Sequence, residues 1–383
     1  MYPPALPCGR GTAGLMTSTN TNHRRQRLEA LDLARSAGFL IVLLQHCLGF
    51  LGSAVPRHFL PQDATILDFF FLMSGFFAGF AYEKKLRTGQ KTIARALAER
   101  ALRLFPLVAL GTLLGVLSYL IWAPHKFHLL LLLILTLKGF ALIPANGAQL
   151  GSPDIFPLDG PLWFLLYDWF AYLLFLFALR HLSLKWLFAV AAAAMSGLWW
   201  AAISTNTLSF GTLWTDWPWS LPRSLAGFTA GYILFRLYKP DRFSISRRFG
   251  WLPAIALLAV VLLPVPADWR YSGALQALIA TLVMPMIIFF GAYVPVDAVT
   301  ARLASVGAKI ALPVYVLHSP VIRTLSLLRW YLHLHGMTGL VLLFAEFLVP
   351  IALAYLVAKY LEKLPRTFTI GAGRSQPKSS FVT

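Results

Sequence analysis

The sequence predicts an all-α protein, a polytopic transmembrane helical bundle of about ten spans. Three observations lead there. Hydrophobic residues make up 58% of the 383 and charged residues only 13%, with a mean hydropathy of +0.68. Apolar runs of about 17–25 residues, the length that crosses a bilayer, recur from end to end. The basic residues behind the net charge of +18 gather between those runs, where orientation signals and contacts to anionic headgroups belong. In a soluble chain such a charge would point to nucleic acid; split between spans, it points to membrane lipids instead. The two cysteines, Cys8 in the leader and Cys47 in a helix, fit neither a disulfide framework nor a zinc site.

The candidate spans are 37–55, 64–82, 104–123, 127–143, 161–179, 184–203, 219–238, 250–265, 273–294, 309–329 and 338–358. Residues 1–30 are polar and basic, with no apolar stretch before a cleavage site, and read as a disordered cytoplasmic leader. The transmembrane body covers 31–365, and 366–383 is a basic cytoplasmic tail. Arg24, Arg25 and Arg27 put the amino terminus inside, and Lys359 and Lys363 do the same for the tail. Segments 83–103 and 236–248 are also basic, while 204–218 and 264–272 are poor in Lys and Arg and face out. Arg180 and Lys185 should lie inside, yet three apolar runs separate them from 83–103. An odd number of crossings cannot return to one side, so one run must turn back. Residues 124–143, which open Pro-His-Lys-Phe-His and hold Lys138, are the best candidate. About ten crossings remain, with both termini in the cytoplasm and the acidic loop 144–160 outside.

Chemistry enters with the first span. In LDLARSAGFLIVLLQHC, His46 follows Arg35 by eleven positions. At about 100° per residue the two share a helix face, with the imidazole about 16 Å deeper than the guanidinium. A titratable group at that depth is costly and marks a functional site by default. A neutral imidazole is suited to removing a proton from a hydroxyl. Arg35 is suited to phosphate or carboxylate, with Asp32 and Gln45 close to the two ends of the stripe. The plain alternatives are an interhelical packing histidine and a snorkelling orientation arginine.

Each later segment carries one further candidate. In DFFFLMSGF, Asp68 is an intramembrane carboxylate that needs a partner, and Ser74-Gly75 permits a close helix approach. Arg100 and Arg103 share a helix face just before Pro106 and suit the phosphates of a nucleotide-like cofactor; ordinary headgroup binding is the alternative. In PLWFLLYDWFAY an interfacial aromatic belt explains Trp163, Tyr167 and Trp169 but not Asp168. Tyr315 and His318 in YVLHSP place a second histidine inside a span. His125, His128, His333 and His335 sit near span ends, and no metal set emerges.

In order, these segments resemble the acyltransferase-3 family of integral-membrane O-acyltransferases. The resemblance is carried by Leu31-Asp32…Arg35 with His46, by Asp68 to Phe76, by Arg100 to Pro106, by Leu162 to Asp168, and by Tyr315 with His318. It covers roughly residues 27–365. Asp168 stands where the family carries Glu, one methylene longer. The short basic tail gives no expectation of the appended periplasmic domain that some members carry. The resemblance implies transfer of an acyl group, most often acetyl, from cytoplasmic acyl-CoA to a hydroxyl of a cell-surface or lipid-linked glycan at the inner membrane. Acyl-CoA would be a donor substrate rather than a tightly bound cofactor. His46 would be the general base and Arg35 an essential donor-side contact. Arg100 and Arg103 would hold the donor, with Asp32, Asp68, Ser74, Trp163, Asp168, Tyr315 and His318 in support. A transporter or flippase for an anionic or acylated glycolipid would use the same intramembrane charges as a pathway. No inverted repeat supports that alternative.

Overall fold

A computed structural model describes residues 19–49, 60–122, 129–266, 269–333 and 336–363. The leader to residue 18, Cys8, His125, His128, His335 and the tail from 364 lie outside the described residues, as do the side chains of Arg24, Arg25 and Arg27. Helix α1 (Thr19–Gly49) begins within the expected leader. It is followed by α2 (Thr65–Arg87), α3 (Ile93–Trp122), α4 (Leu129–Phe140) and α5 (Leu162–Phe177). Then come α6 (Leu184–Thr205), α7 (Ser220–Leu237), α8 (Leu252–Val261), α9 (Ser272–Gly291), α10 (Ala298–Tyr331) and α11 (Gly336–Lys363). Among the described residues there is no strand, only an isolated bridge between Asp154 and Leu213.

Among the described residues, eight helices are long and apolar enough to cross a membrane; α7, α8 and α4 are not among them. Packing decides what those three do. Helix α7 is poor in large apolar residues because it is buried inside the bundle, running parallel to α2. Asp68 meets Arg223, Gly75 meets Phe228, Gly79 meets Phe235 and Glu83 meets Arg236. The backbones touch: a Cβ on Gly75 would lie 1.9 Å from the Phe228 carbonyl oxygen, and one on Gly231 1.9 Å from that of Leu72. Small residues permit this approach, as the Ser74-Gly75 step suggested. Helix α7 therefore traverses wherever α2 does. Helix α8 joins the level of Pro295 and Val296, beside Gly250, to that of Gln62, whose N–H donates to Val261 O at 3.2 Å. With these two added to the eight, ten segments among the described residues run between the two ends of the bundle.

Helix α4 does not. It runs back along α3 until Gly139 meets Thr112, and the chain then turns at Leu142, where φ is +52°. The segment that follows is not simply an external loop. Leu158 packs on Gly115 and Asp159 on Gly111, halfway along α3. Asp159, read from sequence as part of an outer loop, is buried with both carboxylate oxygens lacking a hydrogen-bond partner.

Helices α1 and α10 run side by side in the same direction. A Cβ on Gly307 would lie 2.3 Å from Ser36 Oγ, and eleven residues further along α10 His318 meets His46. The end of the bundle near Arg35 and Arg100 is called the basic end below, and the opposite one the far end.

Candidate functional site

The stripe read from α1 survives as a line of contacts through the bundle. At the basic end Arg35 pairs with Asp32 at 2.7 Å, one turn earlier. Its guanidinium carbon lies 5.5 Å over the Phe77 ring, and its Nε is buried without a partner. Arg103 is solvent-accessible and lies close enough to Arg35 and Arg100 to be repelled by both. Three guanidiniums thus lie at one end with two paired carboxylates, Asp32 and Asp168, an excess of positive charge of the kind that suits an anion.

Arg100 differs from Arg103. It is tied on three sides: to the Asp168 carboxylate, to Ser74 Oγ at 3.0 Å, and over the Tyr172 ring at 4.2 Å. The shorter Asp168 still reaches its arginine, and three candidates from separate segments become one cluster. Within it Asp168 and Ser74 fix Arg100, leaving Arg103 as the freer cation.

One turn beyond Arg35 on the same face comes Phe39. Its ring stacks on Phe70 with centroids 4.2 Å apart and meets Tyr315 edge-on at 5.5 Å. Phe164 closes the group, 5.5 Å from Tyr315 and 6.1 Å from Phe70. Four helices thus supply one buried aromatic ring each between the arginines and the far end. The Tyr315 hydroxyl donates to Pro161 O at 2.9 Å, which fixes the ring.

Beyond that group the two intramembrane histidines meet. The rings of His46 and His318 are 4.7 Å apart, edge to face at 62°. His318 is fully buried. Its Nδ1 lies 2.7 Å from Tyr315 O and 3.1 Å from Val314 O. Both are acceptors, so Nδ1 carries the hydrogen and donates. Nε2 is then a bare lone pair, buried and without a hydrogen-bond partner. His46 is less enclosed than His318, at intermediate exposure.

Asp68 has a different place. Arg223 grips it with a two-point fork, Nε to Oδ1 at 2.9 Å and Nη2 to Oδ2 at 2.8 Å. The same guanidinium donates to Ala64 O at 2.6 Å, Leu208 O at 2.7 Å and Phe210 O at 3.4 Å. Both side chains are almost completely enclosed, 1% and 2% exposed. Trp163 lies against this pair, 5.8 Å from the guanidinium carbon. The partner that Asp68 needs is therefore on α7. Sequence reading passed over Arg223, although an arginine opening a span on the side poor in Lys and Arg violates the positive-inside pattern. Glu346 is a second such omission: fully buried in α11, it accepts from Ser326 Oγ at 2.9 Å and lies 3.8 Å from Arg329.

A family model described as an acyltransferase domain matches residues 28–359, nearly the whole chain and the entire span from Arg35 to α11. The chain belongs to the acyltransferase-3 family. No curated protein and no solved structure matches it significantly. The family's acyltransferase activity and the apolar helices together describe a multi-pass membrane acyltransferase. Every residue that carried the sequence resemblance falls inside the matched region.

Proposed function

We propose that this acyltransferase moves an acyl group, acetyl first among the candidates, from acyl-CoA to a hydroxyl of a cell-surface or lipid-linked glycan. The observation that carries the reading is the division of labour along α1. Accessible guanidinium charge lies at one end of a helix face, and an imidazole in contact with a second imidazole lies about 16 Å further along it. Lys84, Lys85, Arg87, Lys91 and Arg95 around the arginine end support, by the positive-inside rule, an assignment of that end and of both termini to the cytoplasmic side of an inner membrane. Acyl-CoA is made in that compartment, and its phosphates suit Arg103 and Arg35.

The acceptor hydroxyl comes to His46 from the far end. His46 takes its proton as the oxygen attacks the thioester carbonyl. The tetrahedral adduct collapses with cleavage of the carbon–sulfur bond, and the proton passes from His46 to the departing CoA thiolate. Atoms and charge balance without a further reactant. His318, its tautomer set by two carbonyls, offers His46 a fixed acceptor neighbour, and Tyr315 sits one turn before it. The transporter alternative gains nothing from Asp68, because a carboxylate locked to Arg223 offers no pathway for a passing cation or anion.

The test is direct. His46→Ala and Arg35→Ala, purified at near wild-type membrane levels, should each lose acyl transfer from acetyl-CoA. Loss of a general base costs about 10²–10⁴-fold. Retention of more than about a tenth of the activity in His46→Ala removes that residue as base.

A further inference from the structure

Arg103 heads a stripe that runs along one face of α3. Pro106, Leu107, Leu110, Leu113 and Leu117 follow it at intervals of three and four residues, so they share its side of the helix. Arg103, Pro106, Leu113 and Leu117 are exposed. Helix α11 raises a second wall beside the part of the stripe nearest Arg103. There Leu356, Val357, Tyr360 and Leu361 face Pro106, Leu107 and Leu110 across a groove of about 350 Å³. Tyr360 carries the lining's only polar side-chain atom, so water finds too few partners to fill the space. Hydrocarbon needs none.

Exposed leucines on a spanning helix are ordinary lipid contact. Charge and geometry set this face apart. Arg35 has Asp32 and Arg100 has Asp168, but among the described residues no carboxylate pairs with Arg103. Side chains on a helix lean toward its N-terminus, which carries the Arg103 guanidinium toward the basic end and clear of the groove. A positive charge therefore stands at headgroup level, and the apolar slot opens about 4.5 Å further along the axis, at Pro106. From Pro106 to Leu117 the stripe runs about 16 Å, half of a hydrocarbon core about 30 Å thick. The face thus matches one leaflet, head to tail. Basic pockets between spans on the cytoplasmic side suit anionic lipid headgroups.

The same spacing separates the possible ligands. In a glycerophospholipid only a glycerol unit stands between phosphate and chain. In acyl-CoA the whole pantetheine arm does, and its amides would lie unpaired in this groove, which is costly.

We propose that the groove between α3 and α11 binds one chain of an anionic glycerophospholipid with its phosphate on Arg103, and that this lipid contends with acyl-CoA for that guanidinium. The contest rests on the acyl-transfer reading above; the lipid site does not.

The first measurement offers the purified full chain equal amounts of dioleoyl phosphatidylglycerol and dioleoyl phosphatidylcholine, and reads the lipid retained by native mass spectrometry. Phosphatidylglycerol should be favoured about tenfold, the preference expected of one charge-assisted hydrogen bond. Arg103→Gln should bring the ratio close to one. Leu110→Trp should fill the groove and lower retention of phosphatidylglycerol although Arg103 remains. Leu356→Trp repeats that test on a residue 61% exposed, where a larger side chain least endangers the fold. The second measurement is the affinity for radiolabelled acetyl-CoA in bilayer discs with and without phosphatidylglycerol. The surface potential of the anionic bilayer acts on wild type and Leu110→Trp alike, so the weakening should be larger in wild type. Equal retention of the two lipids overturns the lipid site, and so does undiminished phosphatidylglycerol in both Trp variants. Preference for a polyprenyl phosphate over phosphatidylglycerol also overturns it, giving the groove to a lipid-linked acceptor. Equal weakening in wild type and Leu110→Trp overturns the contest. A chain that retains phosphatidylglycerol selectively but binds no acetyl-CoA in either bilayer supports the lipid site and strikes the acyl-transfer reading.

Discussion

Arg223→Ala should be among the most damaging single changes in this protein, and the reason can be counted in bonds. The guanidinium satisfies both oxygens of Asp68 and the carbonyls of Ala64, Leu208 and Phe210. At 1% and 2% exposure no water replaces it. Removing one partner of a buried pair leaves an uncompensated charge and costs about 3–5 kcal/mol. The Tm shift per kcal/mol falls with chain length, to about 1–2 °C for 383 residues, so a drop of about 3–10 °C is expected here. The assay is the fraction of monomer surviving a heating series in detergent, read by size exclusion. Arg223→Lys keeps the charge without the fork and should fall between. Asp68→Leu combined with Arg223→Leu should lose less than the sum of the single changes, with a coupling of about 0.5–3 kcal/mol. A melting point within about 2 °C of wild type for Arg223→Ala would refute the claim that this pair fixes α7 against α2.

Two further predictions concern the basic end and the turn-back helix. Arg103→Ala should weaken acyl-CoA binding by about 1.5–3 kcal/mol, visible as a raised donor KM, with only partial rescue by Arg103→Lys; unchanged donor affinity in both would leave Arg103 as an orientation signal. Ala148→Cys and Ser204→Cys, both exposed, in a background lacking Cys8 and Cys47, should react with an impermeant thiol reagent from the same side of the membrane. Reaction of Ala148→Cys only after the membrane is opened would mean that α4 crosses.

What could be read from the sequence was what periodicity and charge determine locally. The face shared by Arg35 and His46 follows from 3.6 residues per turn, whatever α1 packs against. The expectation that 124–143 turns back follows from counting basic segments, and α4 runs along α3 only as far as Thr112 before the chain turns. Three things depended on other helices. Asp68 was recognised as needing a partner, but the partner lies 155 residues away on another candidate span, and no local pattern states which spans meet. Asp159 looked like an external acid because nothing local reveals that its segment folds inward against Gly111. The groove beside Arg103 gave no signal in α3 alone, because α11 supplies its second wall.

His318 shows where the boundary lies. Sequence marked it as a second buried histidine in a separate candidate site, with no means of bringing it to His46. Two features of α10 join them. Gly307 allows α10 to approach α1 at Ser36 where any side chain would collide. The two helices then run in the same direction, so equal steps from that contact carry His46 and His318 to the same depth. Periodicity states which residues share a face; only close-approach points such as Gly307 and Gly75 state which faces meet. A bulky substitution at Gly307 therefore acts on the histidine pair from about 16 Å away, through the spacing of two rigid helices and without touching either ring.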